Sequence, residues 1–241
     1  MTRLLSTIRL DVLQQWRQGF YYAGAFVAVI FIVVLHQVNP AVYPGLLPGL
    51  VLMGLMITTF YFIAGLVLFE KSEGVLQALV VSPLRVDEYL GAKLVSLTFL
   101  AMIEQVAVVL LTYVWRVGFA GMNIGLLLLG MLITSLVNVL LGFIVIARFD
   151  SINEFLLPSA PIAMLLLAPF LHLSGLVNFP PLLLVPTGGA MVLLQWAFAP
   201  LETFPVPVWQ SVAAIALAVI GIGVGYVLSR RTFKTFIVEG S

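Results

Sequence analysis

One carboxylate and two amides fall inside runs too apolar for water. Glu104 and Gln105 stand in LTFLAMIEQVAVVLL, and Asn138 lies midway along a second apolar run near 124–147. A charge at such depth is expensive, so its default reading is functional. Glu104 could meet a cationic or zwitterionic cargo on a path through the membrane, or carry a proton or sodium ion, with Gln105 and Asn138 as neighbours. The competing reading is a hydrogen bond that glues adjacent helices together. The two histidines, His36 and His172, each end an apolar run. They could bind a metal or shuttle a proton, or simply be interfacial residues. Neither sits in H-E-x-x-H. Ser135 and Ser159 have no histidine at their depth, which leaves a serine nucleophile without a base. With no cysteine in the chain, disulfides, thiolate metal sites and cysteine nucleophiles are excluded.

The second constellation is a loop, FEKSEGVLQALVVSPLRVDEYLGAKL, from Phe69 to Leu94. Glu70, Lys71 and Glu73 close an apolar run, and Gly74 permits a turn. Val75, Leu76, Leu79 and Val80 give an apolar face at helical spacing until Pro83 stops it. Arg85, Asp87, Glu88 and Lys93 lead into the next run. A short amphipathic helix charged at both ends can dock in a groove of a soluble partner. A plain solubilising connector would not need this order of glycine, amphipathic turn and proline.

The elements that position these residues follow from composition. Of 241 residues, 62% are hydrophobic and 9% charged, against about 25% charged in soluble domains. Lipid is therefore the solvent for most of the chain, and a net charge of +1 gives no footprint for nucleic acid. Spans are predicted near 20–38, 48–69, 94–115, 124–147, 155–173 and 207–228. Prolines 180, 181 and 186 and glycines 188 and 189 interrupt the apolar stretch 174–206, which predicts a re-entrant or interfacial pair of short helices. With six spans and the N-terminus inside, ten of the eleven Lys and Arg residues are cytoplasmic and only Arg116 is outside. A seventh span would send Arg230, Arg231 and Lys234 to the wrong side. Leu5, Ile8, Val12 and Trp16 beside Arg3, Arg9 and Arg17 predict an amphipathic helix in the interface. The expected fold is thus an all-α integral membrane domain of six transmembrane helices. It has an interfacial helix at 1–18, a cytoplasmic coupling loop at 70–93, a re-entrant outer segment at 174–206 and a cytoplasmic tail at 229–241. Gly221, Gly223 and Gly225 could form a seam or pivot in the last span, and Pro158, Pro161 and Pro169 could distort the fifth.

The pattern Glu70-Lys71-x-Glu73-Gly74-x-Leu76-x-x-Leu79-x-x-x-Pro83, with Gly91-x-Lys93, resembles the first cytoplasmic loop of ABC-2 type transporter permeases. Val75 stands where that family often has threonine. The amphipathic lead and the six-span plan are similar as well. IRLDVLQQWRQGFYYAGAF (Ile8 to Phe26) and VPTGGAMVLL (Val185 to Leu194) look like permeases of fluoroquinolone export. The resemblance implies a coupling helix, in the region of Glu70, Lys71, Glu73, Gly74, Leu76, Leu79, Pro83 and Arg85, that docks on an ABC ATPase subunit. It also implies a second permease chain, identical or related. The chain has no G-x-x-x-x-G-K-[ST] loop, so ATP and magnesium are expected in the partner, with no cofactor here and no enzyme activity. The expected location is the bacterial inner membrane. The expected function is export of a hydrophobic or amphipathic substrate, possible drugs among them, because the outer segment carries Glu202 as its only charge. Other readings stay open: an ion-coupled secondary transporter using Glu104, or an assembly or sensory subunit.

Overall fold

The computed structural model describes residues 2–75, 85–198, 207–233 and 235. Every span expected from hydropathy is a helix. α1 covers Thr2–Arg17 and α2 covers Phe20–His36, bent from it by 64°. Gly19, with φ +86°, makes that bend, in a region most side chains disfavour. Trp16 packs on Tyr21 and Tyr22 at 5.4 Å each, as aromatic residues do at a membrane boundary. The interfacial helix has two faces. Leu5, Leu13 and Trp16 are exposed, whereas Asp11 and Gln15 are buried against the protein.

Pro40–Ser72 forms one long span. It comprises a 3₁₀ turn at Pro40–Val42, α3 at Tyr43–Met56, a π turn at Ile57–Tyr61 and α4 at Phe62–Ser72. Val86–Val117 is the next span, with α5 at Val86–Val109 followed by a π turn at Leu110–Val114. α6 covers Ile124–Ile146, capped by the Asn123 side chain, which accepts from Leu126 N at 3.1 Å. α7 covers Ile152–Leu173 and begins at the Ser151 cap. α9, the last span, covers Val208–Phe233. Five of these spans are long and apolar enough to cross a membrane, and the bent α1–α2 pair makes a sixth only when its two helices are taken as one. Among the described residues there is no strand.

The interrupted segment folds back on itself. A 3₁₀ turn at Pro180–Leu184 leads to α8 at Gly188–Phe198. Eleven helical residues rise about 16 Å, near half a hydrocarbon core. Three contacts place it. A Cβ at Gly221, thirteen residues into α9, would lie 3.9 Å from Pro186. The Thr187 hydroxyl donates to Leu166 O of α7 at 2.6 Å. At its far end α8 meets the start of α6, where Asn123 N donates to Ala197 O at 2.8 Å. The start of α8 is therefore packed beside the middle of α7 and α9, and its far end lies beside the start of α6. Close approach requires Gly189, since a Cβ there would fall 2.3 Å from the Ala214 carbonyl oxygen.

The long spans differ in how far they are enclosed. The most apolar windows of Pro40–Ser72 and Ile124–Ile146 are 67% buried, whereas those of α7 and α9 are 28% and 22% buried. The α3–α4 span and α6 form the centre, and α7 and α9 lie at the edge.

Candidate functional site

At the end of the bundle that carries both termini, three helices converge on Lys93. It is 1% exposed on its side chain, on α5 two turns from the start. Its ammonium donates to Asp11 Oδ1 of α1 at 2.7 Å and to Glu70 Oε1 of α4. Tyr89, one turn earlier on α5, donates its hydroxyl to Glu70 Oε2 at 2.5 Å. One turn deeper, Gln15 Nε2 donates to Ser96 Oγ at 2.8 Å. Burial pushes the Asp11 carboxyl above its usual range, and the Lys93 ammonium pulls against that shift. Low dielectric makes such contacts strong when made and costly when half-made.

The described loop residues expected to form a coupling site divide into three groups. Glu70 faces inward, 3% exposed, and serves the ion cluster. Lys71, Glu73 and Gly74 are on the surface side, where Lys71 pairs with Asp150 and Gly74 turns the chain at φ +70°. Arg85 caps α5, its backbone N–H donating to Glu88 at 2.9 Å. Leu76, Leu79 and Pro83 lie outside the described residues. Asp87 accepts from the Tyr226 hydroxyl at 3.0 Å and lies 3.4 Å from Arg230, so the start of α5 is also tied to the end of α9. Beside the loop, Leu10, Leu13, Gln14, Arg17, Gln18, Glu73 and Val75 line an amphipathic cleft of about 560 Å³.

Within the membrane-spanning region, Glu104 and Gln105 meet the π turn. The Thr58 hydroxyl donates to Glu104 Oε2 at 2.5 Å, and Gln105 Nε2 lies 3.3 Å from Glu104 Oε1. A Cβ at Gly24 of α2 would sit 3.0 Å from Glu104 Oε2, and one at Gly54 of α3 would sit 2.2 Å from Gln105 Nε2. Small residues thus let α2 and α3 close over the polar pair. Glu104 is 6% exposed, and Gln105 and Asn138 are fully buried. Both amide atoms of Asn138 make no hydrogen bond. The pair is sealed inside one chain in this conformation, beside a π turn of the kind that recurs at functional sites.

The remaining candidates are local. His36 Nδ1 lies 2.8 Å from Ile32 O and His172 Nδ1 3.3 Å from Val177 O, each within its own segment. Among the described residues no group of three His, Cys, Asp or Glu could hold a metal. Arg116, the exception in the charge count, closes the carbonyl end of α2. Its guanidinium donates to His36 O, Val38 O and the Tyr43 hydroxyl at 3.0–3.1 Å, where a helix dipole favours a cation.

Sequence reasoning missed Asp11, Gln15, Thr58 and Tyr89 as partners. Asp11 and Gln15 carried a signal, since their four-residue spacing puts two polar side chains on one face of α1. Nothing in the sequence pointed from there to Lys93.

Comparison with known proteins agrees with this architecture. The model of the fluoroquinolones export permease protein family matches residues 2–241. Two fluoroquinolones export permease proteins of Mycobacterium tuberculosis, from strains CDC 1551 / Oshkosh and ATCC 25618 / H37Rv, are each 33% identical over 242 residues. Each alignment covers 100% of this chain and 99% of the relative. A match that runs from α1 through α8 to the last span places the chain, a multi-pass membrane protein, in the fluoroquinolones export permease protein family.

Proposed function

We propose that this chain is the membrane-spanning permease subunit of an ATP-binding-cassette exporter that moves amphipathic drugs, fluoroquinolones among them. The full-length family match carries the reading. The terminus-bearing end is cytoplasmic, because the basic residues gather there and Arg116 at the opposite end is absorbed by carbonyls. Without a phosphate loop, the chain takes its energy from a separate ATPase subunit, which binds ATP and magnesium and docks on the surface around Lys71, Glu73, Gly74 and the segment through Leu76, Leu79 and Pro83. The amphipathic cleft beside Glu73 belongs to the same docking face.

The passage lies between two permease chains, and α7 supports that placement. Pro158, Pro161 and Pro169 have no N–H, so the carbonyls of Glu154, Leu157 and Leu165 lose their helical donors. Leu157 is 83% exposed and Leu165 54% exposed. Bare carbonyls facing hydrocarbon are costly. This face therefore fits a second copy or a water-lined path better than lipid. Glu104 lines such a path only if α2 and the π turn part, because Gly24 and Thr58 now cover it. One observation favours the ion-coupled alternative, a carboxylate within the spans; against it, among the described residues Glu104 bonds Thr58 and Gln105 and forms no ion pair.

The test is copurification. The tagged chain, extracted in mild detergent, is expected to carry an ABC ATPase, and Glu73→Lys is expected to reduce that capture at least tenfold. Wild-type chain that exports a fluoroquinolone in vesicles with no ATPase bound would overturn the reading.

A further inference from the structure

The cluster around Lys93 is buried, and its burial needs a physical reason. A buried ion pair is weak evidence for stability, because desolvation offsets the attraction, and packed apolar residues of similar volume often do as well. Buried charges of this kind are best explained where they fix one arrangement among several. The arrangement here is specific. Glu70 stands at the chain's exit from the α3–α4 span into the loop, and Lys93 stands where the chain returns along α5. Asp11 belongs to neither, but to the interfacial helix 82 residues earlier. One ammonium therefore pins both ends of the loop to each other and to α1. Tyr89 fixes the second oxygen of Glu70, and Gln15–Ser96 repeats the α1–α5 link one turn deeper.

We propose that Lys93, with Asp11, Glu70 and Tyr89, is the positioning residue that makes α1, the α3–α4 span and α5 move as one body when the loop between them is pushed. A push on residues 71–85 then turns three elements together. Without the cluster the loop could tilt while the spans stay in place, and force would be lost at the junction. The surface pairs Lys71–Asp150 and Asp87–Arg230 extend the connection to α7 and α9 more loosely, since both are solvated. This inference rests on the reading of the loop as the handle for an ATPase.

The experiment uses the permease with its ATPase in proteoliposomes and reads drug transported per ATP hydrolysed. In Asp11→Leu/Glu70→Met/Lys93→Met the cluster becomes apolar at similar volume, which a purely structural role would tolerate. Hydrolysis is expected to continue while the transport ratio falls at least tenfold. Tyr89→Phe, which deletes one hydroxyl and leaves folding secure, is expected to lower the ratio two- to threefold, and Lys93→Arg to retain most of it. An unchanged ratio in the triple variant, or in Tyr89→Phe should the triple variant not assemble, would overturn the proposal alone. Wild-type chain that binds no ATPase would overturn both this proposal and the reading beneath it.

Discussion

At the scale of single residues, the charges that break the apolar pattern fall into three kinds of service. Lys93 joins helices, Arg116 closes a helix end, and Glu104 bonds inside the spans. Each makes a prediction. Glu104→Gln keeps an acceptor for Thr58, so export is expected to stay within about twofold of wild type. Glu104→Leu strands the Thr58 hydroxyl and is expected to cost about 1–2 kcal/mol, read as a lower melting temperature in detergent. A large loss of export in Glu104→Gln with normal stability would instead put the carboxylate on the passage. Arg116→Gln removes a cation from carbonyls at a solvent-facing helix end, with an expected cost of about 0.3–1 kcal/mol, and hydrogen exchange is expected to rise first at Leu35–Val38. Partner identity at this scale was the least legible in the sequence. Glu104 stood out because it broke an apolar run. Thr58, two residues before Phe60 in another apolar run, did not, since one hydroxyl barely changes hydropathy and its π-turn register comes only from packing.

Elements were far more legible. All six expected runs are helical, because lipid leaves the backbone no other way to satisfy its polar groups, though the spans expected at 48–69 and 94–115 begin eight residues earlier, at Pro40 and Val86. The proline and glycine breaks marked where the helical pattern of the last two spans is interrupted, and between them lies a short helix, but they did not say that α8 would be buried against α6 and α9. That burial rests on Gly189. Gly189→Ala drives a Cβ into the Ala214 carbonyl, where no side chain can give way, and is expected to cost about 1–3 kcal/mol. Thermal unfolding in detergent measures it, and a melting temperature unchanged from wild type would show that α8 can shift away. The coupling segment expected from the sequence is a motif whose Leu76, Leu79 and Pro83 lie outside the described residues.

At the scale of the whole molecule, a central α3–α4 span and α6 are flanked by α7 and α9, which expose most of their surface. The freed carbonyls of α7 predict that its outer face meets protein or water. The chain contains no cysteine, so introduced ones report cleanly. Leu157→Cys is expected to crosslink between two copies or to react with a water-soluble maleimide. Val33→Cys on α2, exposed to a similar class of surface at 55%, is expected to do neither. Equal inertness of both sites would place α7 in lipid. At the terminus-bearing face α1, α4, α5 and α9 are joined through Asp11, Glu70, Asp87 and Lys93.

The claim beneath all of this is that the motor is a separate polypeptide burning ATP. Inside-out membrane vesicles holding the chain with its ATPase test it directly through fluoroquinolone uptake. Uptake is expected to require Mg-ATP and to persist when a protonophore collapses the proton gradient. Uptake that ignores ATP and stops with the protonophore would contradict it.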